Sequence, residues 1–226
     1  MAKGLEILYE DNHILAVLKP AGVLVQGDRS GEITLFEAAK KYLKAKYRKP
    51  GQVYLGMVHR LDKGTAGVVV FARTSKAAGR LSREFRERRV RKVYMAVVEG
   101  RIRGEDVLTH RLLRDREKGT SCIARDTAPG TQEVKLSYRV IEGTGTRTLL
   151  EVIPETGRHH QIRAQLSAIG HPIIGDVRYG AGRGLAGGKI GLLASSISFR
   201  HPVKKNDMTI RVPLRSISFL KRLMQK

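Results

Sequence analysis

The sequence predicts an α+β fold with a mixed sheet. Strand-like and helix-like segments interleave along the 226 residues without the regular βαβ count of a parallel α/β protein. Two of the strand-like segments are apolar on both faces, which indicates that other parts of the protein cover both faces of the sheet at these strands. The length allows one large domain or two lobes that share a sheet, and we expect a single catalytic domain over residues 1–226.

The N-terminal part predicts two strands and a helix. Residues 6–9 and 14–18 have the apolar, β-rich composition of strands. Thr34 and Glu37 form a capping-box pattern, and apolar residues at helical spacing follow them. These signals place a helix directly after Thr34.

The next part predicts a strand, a helix and a strand. Residues 67–72 (GVVVFA) form the uninterrupted apolar run of a strand that is covered on both faces. Residues 75–87 are apolar on one helical face and basic on another. Residues 91–99 are apolar on both faces of a strand, so we expect this strand to be central.

The C-terminal half predicts strands and two helices, whereas residues 103–130 are polar and are expected to be irregular. Thr156 can cap a helix that runs to about residue 169 and buries Ile162, Leu166 and Ile169. The remaining segments are strands at 134–141, 148–153, 190–199 and 208–212, a flexible loop at 180–191 and a terminal helix at 217–224.

The composition is strongly basic. There are 43 Lys and Arg residues against 21 Asp and Glu, a formal net charge of +22 that is typical of nucleic-acid binders. A membrane surface is a weaker interpretation, since no apolar run approaches the roughly 18 residues of a membrane span. The first residues also lack the apolar core of a secretory signal. Aromatic residues make up 5% and tryptophan is absent, which favours structured RNA over single strands as the partner. We expect a cytoplasmic protein that does not bind membranes.

One loop carries the main indication of chemistry. Residues 59–67 (HRLDKGTAG) present the carboxylate of Asp62 just before an apolar strand, with Arg60 two positions earlier. Loops on a rigid scaffold commonly carry functional groups. An aspartate that caps local backbone or pairs with Arg60 is the ordinary structural alternative. In so basic a chain, this pairing indicates an enzyme that acts on a polyanion.

Other motifs do not predict a cofactor. Residues 182–187 (GRGLAG) match the dinucleotide-binding spacing, but they precede a strand instead of following one. His159 and His160 are neighbours on a predicted helix and face different directions, which is unsuitable for a shared metal. Cys122 is the only cysteine, so an intramolecular disulfide is excluded. We expect neither a metal nor a nucleotide cofactor.

Several motifs, in order, resemble those of the RluA family of pseudouridine synthases. An opening segment at 11–22 and the pair His201-Pro202 also look like family features, so the resemblance covers most of the chain. The matching motifs are HRLD at 59–62 with Thr65 and Gly67, KVYMA at 92–96, TGRHHQIR at 156–163 and GHPIIGD at 170–176.

This resemblance implies the pseudouridine synthase catalytic fold, with a mixed, largely antiparallel central sheet. It implies a cofactor-free isomerase that converts uridine to pseudouridine in tRNA or ribosomal RNA. Asp62 would be the catalytic carboxylate, Tyr94 would stack on the base and Arg163 would pair with Asp62. Arg60 would fill the space of a flipped-out base or contact a phosphate. The further residues expected at the substrate are His59, Lys92, Arg158, Gln161 and Leu192.

Three positions depart from the usual family pattern. Ala66 replaces a common serine, Gln165 stands where histidine is often found, and Leu193 replaces a histidine. These changes affect substrate preference and packing more than activity. We expect no N-terminal RNA-binding module of the kind that some members of the family carry, so recognition is expected to rest on the catalytic domain. Between residues 73 and 92, nine Lys and Arg face two acids, which predicts phosphate contacts.

Two other functions compete with this interpretation. A non-catalytic RNA-binding or RNA-folding protein could retain the scaffold, although the intact aspartate, tyrosine and arginine argue against it. A hydrolase that releases free uracil is remote, because the sequence shows no second well-placed carboxylate. A monomer is expected, since the chain has no heptad repeat and no obvious exposed apolar stripe.

Overall fold

A computed structural model describes residues 5–27, 31, 33–124 and 128–225. The chain forms two compact units. Unit 1 comprises Met1–Arg91 and Ala194–Pro213, and unit 2 comprises Lys92–Leu193 and Leu214–Lys226. Both combine helices with β-structure, so the predicted α+β class is confirmed.

The elements are numbered in chain order. They are β1 (Glu6–Glu10), β2 (Ile14–Lys19), α1 (Leu35–Lys46), β3 (Gly56–Met57), β4 (Ala66–Ala72), α2 (Ser75–Arg86), β5 (Arg91–Glu99), β6 (Glu105–Asp115), β7 (Thr120–Ala124), β8 (Gln132–Gly143), β9 (Arg147–Pro154), α3 (Gln161–Ala168), β10 (Leu192–Arg200), β11 (Asp207–Arg211) and α4 (Leu214–Met224).

Unit 1 is built around the apolar strands that the sequence predicts. β2 pairs antiparallel with β1 and β4, β3 pairs with β4, and β10 pairs with β11. All residues of β4 except Ala66 are buried, which confirms the strand covered on both faces. At the start of α1, the Glu37 N–H donates to the Thr34 hydroxyl and the Thr34 N–H donates to the Glu37 carboxylate, so the predicted capping box is present.

Unit 2 is a run of antiparallel pairs with helix α3 packed on it. β9 pairs with β5 and β8, β8 also pairs with β6, and β6 pairs with β7. Leu136 and Leu150 of the sheet share one core cluster with Ile162 and Leu166 of α3. The predicted apolar stripe of α3 is therefore confirmed, with Ile169 at its edge.

Three sequence predictions need correction. Residues 103–130 were expected to be irregular but contain the β6–β7 hairpin, with residues 125–127 outside the described part. Its apolar alternation is weak because only Leu108 and Leu112 are buried along β6. α3 begins at Gln161 instead of after Thr156. His160, the residue before the helix, has a left-handed φ of 52°, so the helix cannot extend further toward the N-terminus. α4 begins at Leu214, three positions before the predicted start.

Candidate active site

In unit 1, the loop with Asp62 is ordered by its own backbone and by His59. The Thr65 N–H donates to the Asp62 carbonyl at 3.1 Å, which closes a tight turn before β4. His59 Nε2 accepts the Val70 N–H at 2.9 Å, and its ring stacks on Phe85 with the centroids 4.9 Å apart. The imidazole therefore fixes the loop against β4 and α2, while the side chain of Asp62 stays half-buried.

A buried lysine holds the same loop from the other side. Lys19 ends β2, and its side chain is fully buried. Its Nζ donates to the carbonyls of Pro20 at 3.1 Å, Val23 at 2.6 Å and Lys63 at 3.0 Å. The Lys63 carbonyl also accepts the Gly22 N–H at 2.8 Å. The peptide between Lys63 and Gly64 is thus anchored at its oxygen by two donors.

Lys19 also brings a charge close to Asp62. Burial lowers the pKa of Lys19 to about 7, and attraction to the Asp62 carboxylate opposes this shift. Three carbonyl acceptors require three N–H groups, which only the protonated ammonium has. We therefore assign the ammonium form below this pKa. In the sequence, the only indication of this role is a lysine at the end of an apolar strand.

Gly67 in the same motif is required by the close approach of β10. Its φ is 133°, and a Cβ there would lie 2.3 Å from the Ala194 carbonyl oxygen and 2.6 Å from the Ala194 nitrogen. No side chain fits at these distances, and the backbone conformation favours glycine. Gly67, which follows the turn at Asp62, is therefore needed for the packing of β4 against β10.

In unit 2, Arg163 is held by a buried carboxylate. Its Nε and Nη2 donate to the two Asp176 carboxylate oxygens at 2.6 and 2.7 Å, and Asp176 is 2% exposed. The guanidinium also lies over the Tyr179 ring, 4.7 Å from its centroid. A guanidinium has five N–H donors, so this bidentate pair uses two of them. The sequence alone does not indicate that Asp176 is a partner of Arg163.

Lys92 and Tyr94 project from the same face of β5, because side chains alternate along a strand. Tyr94 is half-buried and packs against the core cluster of unit 2. Lys92 Nζ donates to the Thr156 carbonyl at 3.0 Å, and a Cβ on Gly157 would lie only 3.2 Å from that Nζ. Burial lowers the pKa of Lys92 to about 8. Lys92 therefore holds the loop that leads into α3.

The same loop is ordered by the amide of Gln161, which is 3% exposed. Its Oε1 accepts the Thr156 hydroxyl at 2.6 Å and the Arg158 N–H at 3.2 Å. Its Nε2 donates to the Lys135 carbonyl at 3.1 Å and to Gln165 Oε1 at 3.0 Å. Protein groups thus use both ends of the Gln161 amide, which orders this loop, and its contact with the substrate stays a prediction.

The hydrogen bonds of these side-chain amides extend from α3 to β6. Gln165 is fully buried, and its Nε2 donates to the Leu108 carbonyl at 3.0 Å and contacts His110 Nδ1 at 3.1 Å. Leu192, predicted to lie near the base, is 4% exposed and belongs to the core cluster of unit 2. Arg158 and Arg60 are exposed.

Among the described residues, no group of three or more His, Cys, Asp or Glu residues could hold a metal ion. The rings of His159 and His160 stack 3.7 Å apart. Residues 182–187 precede β10, which is the wrong context for a dinucleotide-binding turn. No helix in the described ranges is long and apolar enough to cross a membrane.

The sequence profile of the RNA pseudouridylate synthases matches residues 13–168, so this chain belongs to that family.

Several relatives cover most of the chain. The tRNA pseudouridine synthase C of Pasteurella multocida is 34% identical in an alignment of 226 positions that covers 91% of this chain and 90% of that protein. The tRNA pseudouridine synthase C of Pectobacterium carotovorum subsp. carotovorum is 33% identical in an alignment of 229 positions that covers 92% of this chain and 58% of that protein. The solved structure of human RNA pseudouridylate synthase domain containing 1 is similar with a TM-score of 0.73 and 28% identity, over 92% of this chain and 83% of that one. The chain spans 58–66% of the length of several of its matched relatives.

Proposed function

We propose that this chain is an RNA pseudouridine synthase that isomerises one or more uridines in structured RNA, either tRNA or ribosomal RNA. Its family membership supports this reaction, and its relatives are named for both kinds of RNA. The net charge of +22 suits a polyanionic substrate. The observation that carries the proposal is the Asp62 carboxylate, placed in a loop whose backbone is locked by Lys19.

The reaction fits a single carboxylate without a redox partner. The bond between ribose C1′ and base N1 breaks, the base turns, and C1′ bonds to C5. The proton leaves C5 and N1 gains one, so the product is an isomer of the substrate. Positive charge develops on the ribose while the first bond breaks, and Asp62 serves as nucleophile, base or electrostatic stabiliser. A locked loop keeps the carboxylate in place without reorganisation during this step.

Arg163 and Tyr94 complete the proposed catalytic set. We assign Arg163 to pairing with Asp62, with Asp176 fixing the orientation of the guanidinium. Tyr94 stacks on the uracil and assists the transfer of the C5 proton. These two roles rest on the family resemblance and on the chemistry of the side chains.

The exposed arginines suit the handling of a flipped-out nucleotide. A uridine stacked in folded RNA must leave the stack before a loop carboxylate can reach its ribose. Arg60 is exposed on the Asp62 loop, and its planar guanidinium can stack in the space that the base vacates. Arg158 is exposed on the loop before α3 and is assigned to phosphate contact.

The test is tritium release from RNA labelled at uridine C5, with tRNA and ribosomal RNA transcripts compared. Wild type is assayed beside Asp62→Asn, which keeps the size of the side chain, and beside Asp207→Asn, the same change at an exposed position of β11. Tritium release and pseudouridine in the digest are expected with wild type and Asp207→Asn but not with Asp62→Asn.

Two other results would reject the proposal. Free uracil in the supernatant would identify a hydrolase. Tight RNA binding without tritium release from any transcript would identify a non-catalytic RNA-binding protein, and Asp62→Asn would then bind as wild type does.

A further inference from the structure

The outer face of α2 carries a row of basic side chains. Lys76, Arg80 and Arg83 are exposed and recur at i, i+4 and i+7, so they line one side of the helix over roughly 10 Å of its axis. Gly79 lies beside them, one turn from both Lys76 and Arg83. These four residues are called the α2 ridge.

The charges of the ridge are not neutralised within the protein. Within the described part of the chain, no carboxylate pairs with Lys76 or Arg83. Both acids of this region, Glu84 and Glu87, pair with Arg89. Arg80 uses one nitrogen to donate to the Pro202 carbonyl at 2.6 Å, which keeps its charge and ties its side chain to the turn after β10.

The basic run between residues 73 and 92 is thus only partly a surface for phosphates. Arg73 is turned inward to Glu10, with its side chain 9% exposed, and Lys92 is committed to the Thr156 carbonyl. The exposed positive charge available for contact is concentrated on α2 and the turn after it.

Gly79 has no structural reason to be glycine. It is exposed in the middle of α2, and a Cβ there would meet no atom within 4 Å. Glycine is the least favourable residue for a helix interior after proline. No described residue needs the space that a side chain at position 79 would fill. The absence of a side chain therefore has a role if another molecule approaches the helix closely at this point.

The inner face of α2 ties the ridge to the loop of Asp62. Phe85 stacks on His59, and Ala78 packs so closely on Gly56 that a Cβ at Gly56 would lie 2.9 Å from the Ala78 Cβ. The ridge therefore lies about one helix diameter, roughly 10 Å, from the side of α2 that contacts this loop.

We propose that the α2 ridge binds the phosphate backbone of the RNA substrate, with Gly79 as the point where a ribose-phosphate unit lies against the helix. This inference rests on the proposed function and names the surface that holds the RNA beside the Asp62 loop. Basic side chains supply the charge complementarity for consecutive phosphates.

The first test removes two ridge charges. Lys76→Gln/Arg83→Gln is compared with Lys41→Gln/Lys44→Gln, which removes two charges from exposed positions of α1. Binding of one tRNA transcript is measured over a series of salt concentrations. Each lost phosphate contact weakens binding about 5–8-fold at 0.1 M salt, because the binding constant scales with salt to the power of about −0.7 to −0.9 per contact.

The ridge double variant is therefore expected to bind about 25–60-fold more weakly at 0.1 M salt, with a salt slope shallower by about 1.4–1.8. The α1 variant is expected to keep the slope and the activity of wild type. Equal losses in both variants would overturn the proposal, since only net charge would then matter.

The second test adds a side chain at the proposed point of approach. Gly79→Gln is expected to weaken RNA binding about fivefold or more, the loss of one phosphate contact, while its thermal midpoint does not fall. Ala45→Gln, at an exposed position of α1, is the control that leaves binding unchanged. Binding of Gly79→Gln equal to that of wild type would overturn the close approach.

The two proposals fail separately. RNA binding needs no turnover, so weakened binding of the ridge variants together with a wild type that releases no tritium would reject only the isomerase. A wild type that forms pseudouridine, with ridge variants that bind as wild type does, would reject only the ridge.

Discussion

Replacing Asp176 by asparagine removes the charge that holds Arg163. The pair is bidentate at 2.6 and 2.7 Å, with the side chains of Arg163 and Asp176 only 11% and 2% exposed. Removal of one partner from such a buried pair costs about 3–5 kcal/mol, because the other charge remains buried without compensation. Asparagine keeps one acceptor oxygen but turns an NH₂ group toward the guanidinium. We expect the free energy of unfolding to fall by about 3–5 kcal/mol.

The measurement is urea unfolding followed by two spectroscopic probes, since a chain of two compact units need not unfold in one step. The control is Glu151→Gln, which breaks the pair with Arg139 in the same unit. The side chains of Arg139 and Glu151 are 57% and 26% exposed, so loss of this pair is expected to lower the free energy of unfolding by no more than about 1 kcal/mol.

Activity gives the second readout for Asp176→Asn. If Asp176 orients Arg163, kcat in the tritium-release assay falls about 10–100-fold. The assay is run without urea, at a temperature where the variant is folded. A stability loss no larger than that of Glu151→Gln would refute the energetic reasoning. A destabilised variant with the kcat of wild type would refute the positioning role.

Three further changes have defined outcomes. Lys19→Met removes the N–H donors of three carbonyls and should lower the free energy of unfolding in urea by about 2–5 kcal/mol. Because the folded pKa of Lys19 is about 7 and the unfolded one about 10.4, wild type should gain stability from pH 7 to 10 and this variant should not. Gly67→Ala meets the Ala194 carbonyl and should lower the thermal midpoint by several degrees, whereas Gly51→Ala, with open space around it, should not. Asp11→Asn should destabilise at pH 7, because hydrogen bonds from His13, Ile14 and His201 outweigh burial and depress the pKa of Asp11, and the difference from wild type should shrink progressively as the pH falls from about 4 toward that depressed pKa.

Elements with local signals could be predicted from the sequence. The capping box at Thr34 and Glu37 acts within one helical turn, so the pattern of residue types was sufficient. The run that forms β4 is apolar throughout, and the covered strand follows from composition.

The rest depends on contacts that are distant in sequence. Lys19 gains its role because the Lys63 carbonyl lies 44 positions away in sequence and 3.0 Å away in space. β6 looks irregular because few of its residues are buried, and its strand state is fixed by pairing with β7 and β8. Asp176 gave no signal as the partner of Arg163, because the 12 residues between them include a loop whose path the sequence does not reveal.

The buried amides of Gln161 and Gln165 have a consequence for pH. They fasten α3 to the carbonyls of Lys135 and Leu108, and an amide neither gains nor loses a proton in the physiological range. A histidine at position 165, as is often found in the resembling family, would exchange an acceptor for a donor near neutrality. The two amide side chains that fasten the helix carrying Arg163 therefore keep the same charge and the same donors and acceptors throughout that range.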